Sequence, residues 1–122
     1  MLALLLALTI PVTIQTTAPP DDPLGREFGL ALATEFQPDA DHPLTTGAKA
    51  VQIVVLVITT PVMVGQSYRA TAVSIAVLKA GAVPVYLSGS VKVIPRAQLT
   101  QRARETSAEI RAPIRRTQRS RR

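Results

Sequence analysis

The residues of this chain that could do chemistry are few. Its single histidine, His42, follows Asp41 directly and Asp39 by three positions. Two carboxylates and an imidazole so close together are donors of the kind that hold a divalent cation. Pro38 and Pro43 bracket them, EF-hand spacing is absent and no second ligand cluster follows, so residues 37–47 read as a polar loop without a metal. A Ser-His-Asp set would have to use His42 with Ser67, Ser74, Ser88 or Ser90, and no spacing favours any of them. There is no phosphate-cradling glycine loop, no nucleophile elbow and no cysteine. The expectation is a protein that is not an enzyme and carries no cofactor.

The arginines make the strongest pattern. Arg102, Arg104, Arg111, Arg115, Arg116, Arg119, Arg121 and Arg122 form the candidate anion- or partner-binding set. Phosphates of nucleic acid, anionic membrane headgroups or an acidic protein face would each suit it, and a merely solubilising tail is the plainer alternative. Aromatic residues are only 3% of the chain, so stacking on bases is poorly supplied. The net charge of +6 conceals a gradient. Residues 1–46 hold Asp21, Asp22, Glu27, Glu35, Asp39 and Asp41 against Arg26 alone, whereas residues 96–122 hold nine arginines against Glu105 and Glu109. Such asymmetry calls for an electrostatic partner, or for contact between the acidic end of one copy and the basic end of another.

The element expected to position these groups is residues 48–95, an almost unbroken series of Val, Ile, Ala, Leu and Thr whose branched side chains fit a pleated surface. The run Ile53 to Ile58 resembles a strand buried on both faces. Val73, Ile75 and Val77 alternate with Ser74 and Ala76, as one buried face requires. Val83, Val85 and Leu87 alternate up to Ser88-Gly89-Ser90, and Val91 and Val93 alternate away from it, which predicts a hairpin turning there. The predicted core is Ile53, Val55, Val57, Val73, Ile75, Val77, Val85, Leu87, Val91 and Val93.

Around this β core the chain divides further. Residues 1–18 are an apolar segment, read either as an export signal or anchor or, through Ile10, Val12 and Ile14, as a strand-forming arm. Residues 19–47 are an acidic, Pro-rich linker. Within it residues 27–36 read as a strand of alternating Phe28, Leu30, Leu32, Thr34 and Phe36, or as a helix capped by Asp22, with Gly25 and Gly29 favouring the strand. Residues 96–112 are a basic helix stopped by Pro113, and residues 113–122 an Arg-rich tail with nothing to bury. Membrane spans over 48–66 or 70–88 are interrupted by Lys49, Pro61 and Lys79, although a small membrane-associated protein remains the alternative class. The fold class is mainly β: a small β-sandwich or barrel-like domain with a C-terminal helix and a basic disordered tail. A core this small is marginal alone and is completed by assembly.

The run Ala80-Gly81-Ala82-Val83-Pro84-Val85-Tyr86-Leu87-Ser88-Gly89-Ser90-Val91-Lys92-Val93 resembles the strand-turn-strand segments of tailed-phage head decoration or capsid cement proteins. Gly47-Ala48-Lys49-Ala50-Val51, leading into an apolar strand, is similar to the same class. The resemblance implies a small β-rich subunit of the virion that packs against copies of itself, as a homo-oligomer, and against a larger protein shell. The alternative functions are the membrane-associated protein, with the Arg-rich tail on the cytoplasmic face, and a nucleic-acid-packaging protein acting through that tail.

Overall fold

The computed structural model describes residues 10–37, 42–44, 52–64 and 68–120. Its elements in order are β1 (Val12–Thr17), α1 (Pro23–Phe36), β2 (Ile53–Val64), β3 (Tyr68–Lys79), β4 (Val85–Pro95), a 3-10 turn (Arg96–Gln98) and α2 (Leu99–Ser120). The strands form one sheet in the order β1-β2-β3-β4. β1 runs parallel to β2, and β3 and β4 continue antiparallel. The mainly β expectation with a C-terminal helix holds, and the layer packed on the single sheet is helical: α1 and α2 share one core with its inner face.

α1 corrects the strand favoured for residues 27–36. Asp22 caps it by accepting a hydrogen bond from the Gly25 N–H (3.0 Å), and Pro23 occupies the first turn, where its missing N–H costs nothing. Leu24, Phe28, Leu32 and Phe36, four residues apart, then fall on one stripe, and all are buried. Gly29, which argued against a helix, is there for closeness: a Cβ at this position would run into the Thr16 side chain on β1. β1 itself follows the alternation read from the sequence, with Ile10 and Val12 buried. The Val12 N–H donates to the Pro43 carbonyl (2.9 Å), and Val12 bridges Leu44.

β2 extends past Ile58 through Thr59-Thr60-Pro61. A proline is tolerated there because β1 ends at the Thr17–Ile58 pair, and among the described residues no strand pairs with that flank of β2 beyond it. Ile53, Val55 and Val57 are buried as expected, whereas Ile58 is 54% exposed, so the strand is not covered on both faces.

β4 corrects the hairpin. Ser88-Gly89-Ser90 lies inside one continuous strand, paired with Val77, Ala76 and Ile75, and the chain turns instead between Lys79 and Val85. Gly89 serves the strand interior: a Cβ would lie 2.6 Å from the Tyr86 hydroxyl and 3.1 Å from the Ile75 carbonyl oxygen. Between the Val77–Ser88 and Leu78–Tyr86 pairs Leu87 has no partner, a bulge that shifts the inward-outward order of the strand. In consequence Ile94 joins the core, Leu87 packs against it only in part, and Val85, Val91 and Val93, assigned to the core from sequence, are exposed.

α2 corrects the stop at Pro113. The helix runs through that proline to Ser120, with Ala103, Ile110 and Ile114 buried against the sheet and α1. Residues 1–9, Asp39, Asp41, residues 47–51, Arg121 and Arg122 lie outside the described residues. Among the described residues no helix is long and apolar enough to cross a membrane.

Candidate interaction surface

The structure divides the predicted arginine set. Arg102 bonds Gln98 Oε1 (3.2 Å) and pairs with Glu105 (3.4 Å) along its own helix. Arg104 reaches across to Glu35 of α1 (3.8 Å). Arg111 donates to the Glu35 carbonyl (2.8 Å) and to Ser107 Oγ (2.9 Å), with its guanidinium carbon 4.4 Å from the centre of the Phe36 ring. Arg96, outside the predicted set, approaches Glu27 at 3.9 Å. The acidic and basic halves of the chain thus meet within one copy, along the α1–α2 seam. Arg115 and Arg116 are exposed further along α2, and Arg119 lies in its last turn.

The inner polar groups do structural work. Asp22 is buried, and its second carboxylate oxygen accepts a 2.7 Å hydrogen bond from Thr71 Oγ1, tying the start of α1 to β3. His42, within the segment read as a polar loop, is also buried, and among the described residues no three His, Cys, Asp or Glu side chains group as metal ligands. A groove of about 290 Å³ between β4 and α2 is edged by Ser88, Ser90, Glu109 and Arg116. Beside it Glu109 pairs with Lys92 at 2.6 Å, so the Lys92 charge points toward the helices.

The most unusual surface is the sheet face turned away from the helices. Strand alternation puts Thr13, Gln15 and Thr17 of β1 there, with Val54, Leu56, Ile58 and Thr60 of β2. Cross-strand pairing adds Ala72, Ser74, Ala76 and Leu78 of β3 and Tyr86, Gly89, Val91 and Val93 of β4. None of these positions carries a charge, and no described helix packs over them. Val91 is 78% exposed and Tyr86 64%, values at odds with ordinary apolar burial. Sequence reasoning missed this face because it folded β4 back on itself at Gly89. The usable signal was the small-residue alternation Ala72-Ser74-Ala76, which marks an outward row with no large side chain of its own.

No protein-family model matches the chain, and no curated protein matches it significantly. Among solved structures it is similar to the PelC dodecamer from Paraburkholderia phytofirmans. A single-substitution variant of that protein aligns at 9% identity over 85% of this chain and 86% of that one, with a TM-score of 0.54. A second crystal form aligns at 12% identity over 85% of each chain, with a TM-score of 0.51. At such identities the likeness establishes the fold alone.

Proposed function

We propose that this chain is a non-enzymatic structural subunit that works as a homo-oligomer. The observation that carries this reading is the charge-free apolar sheet face with nothing described over it. Monomers in water keep contiguous apolar patches small, and a face of this kind marks an association surface. The similarity to a fold that builds a dodecamer in PelC supports the same reading. Light-scattering mass on a sizing column, in detergent-free buffer, tests it. A discrete oligomer is the expected result, and a stable monomer across the micromolar range would refute the reading.

What the assembly belongs to is a finer proposal. Placement in a virus particle, against a larger shell, rests on the likeness of residues 80–93 to decoration proteins. Nucleic acid or an anionic membrane as a further partner rests on Arg115, Arg116 and the arginines after them. Replacing Arg115, Arg116, Arg119, Arg121 and Arg122 with Gln, which spares the buried Ile114, should then abolish retention on nucleic acid or on anionic vesicles while leaving the oligomer mass unchanged.

A further inference from the structure

The open face has a relief that suits a copy of itself. Along β3 the outward side chains are Ala72, Ser74 and Ala76. They are flanked on β2 by Leu56 and Ile58, and on β4 by Val91 and Val93, with Ser74 paired to Ile58 on one side and to Val91 on the other. The face is therefore a trough of small residues between two ridges of branched ones.

We propose that this face is a twofold interface, in which the Val91–Val93 ridge of one copy seats in the Ala72–Ser74–Ala76 trough of a second copy and receives that copy's ridge in return. The inference rests on the homo-oligomer reading and specifies its contact. Three observations select the occupant. First, the size fits: strands of 6, 12, 12 and 11 residues present a projected area of about 650 Å² at ~3.3 Å per residue and ~4.8 Å per strand, close to the ~800 Å² each partner gives to a stable interface. Second, charge excludes the other described side of the molecule, because the helix layer presents Arg26, Arg104 and Glu105. Pressing it on an uncharged face would take these groups out of water, a cost that the pairs of Arg104 with Glu35 and of Glu105 with Arg102 do not offset. Third, a lipid surface is the poorer match, since face-on membrane binding uses Lys or Arg around the apolar patch. Here Lys92 is turned inward to Glu109, and Lys79 pairs with Ile53 on the helix side. A contact in which each ridge meets the other copy's trough is the self-complementary type that twofold symmetry requires.

Val91→Lys on the full chain tests the interface, with mass read by light scattering and folding by circular dichroism. The wild type should form an oligomer of even subunit number, and the variant should keep the folded spectrum while its mass falls at least twofold. A second readout does not depend on disruption. The chain has no cysteine, so a mixture of the single variants Ser74→Cys and Val91→Cys should give a covalent dimer on mild oxidation, and an Ala108→Cys control on the helix layer should not. A wild-type oligomer whose mass survives Val91→Lys, with no Ser74→Cys to Val91→Cys cross-link, overturns the twofold face and leaves the oligomer reading standing. A monomeric wild type overturns both. Flotation of that monomer with phosphatidylcholine vesicles would assign the face to lipid instead.

Discussion

Asp22 shows how much one residue can organise when both its carboxylate oxygens are used. One oxygen caps α1 and the other holds Thr71 of β3, in a site closed to water. Replacing Asp22 with Ala should lower unfolding free energy by about 3 kcal/mol, combining a lost cap with a buried hydroxyl left unpaired. Thr71→Val should cost about 1–2 kcal/mol, because the carboxylate then lacks one of its two partners. Urea unfolding of the dissociated chain measures both, and an Asp22→Ala loss below about 0.5 kcal/mol would mean the tie does not exist. Half of this arrangement is legible in the sequence: Asp22 before Pro23, with large apolar residues every fourth position after it, is a helix start. Thr71 is 49 residues away, and nothing local marks it as the second partner.

At the scale of elements, two glycines misdirect a reading of the sequence for the same reason. Gly29 looks like a helix breaker and Gly89 like a turn, yet each makes room for a neighbour packed against it. Gly→Ala in a helix ordinarily gains about 1 kcal/mol, but Gly29→Ala should lose at least about that much, because the methyl meets Thr16 across the α1–β1 contact. Thermal melts decide the sign, and a stabilised variant would contradict that contact. For β4, the continuous strand and the expected hairpin disagree on which residues are inside. Ile94→Ala should cost about 2–5 kcal/mol, as for a filled core position. Val85→Ala should cost about 0.5 kcal/mol or less, as at an exposed site, where a hairpin turning at Gly89 would make it a core loss. The first half of the sheet was readable because Ile53, Val55 and Val57 and Val73, Ile75 and Val77 keep strict alternation. The second half was not, because the bulge at Leu87 changes the phase within β4, and a change of phase is indistinguishable from a turn when only periodicity is available.

For the whole molecule, the chain's charge gradient and its apolar face lead to opposite responses to salt. The Glu27–Arg96 and Glu35–Arg104 contacts are largely exposed pairs, each worth about 0–1 kcal/mol and screened further by salt. Assembly through an uncharged face should therefore persist or strengthen as sodium sulfate is raised, whereas assembly of acidic ends on basic ends would dissociate. Mass measured across a salt series separates them. That one copy's two helices use up part of this gradient could not be foreseen from composition, since it depends on α1 and α2 lying side by side. The parallel pairing of β1 with β2 has a consequence in time. β2, β3 and β4 are joined by short links and can meet as neighbours, while Val12 finds Ile53 only after the whole of α1 and the residues between it and β2 have been made. Contacts that close so long a loop form late. During synthesis β1 leaves the ribosome well before β2, and its pairing closes a longer loop than those of β2 with β3 and β3 with β4, so the nascent sheet passes through a stage with the apolar strand β2 as its rim. In that interval each chain adds a bare strand edge on β2 to its bare outer face, and crowding of nascent copies is then the hazard that docking of β1 lessens.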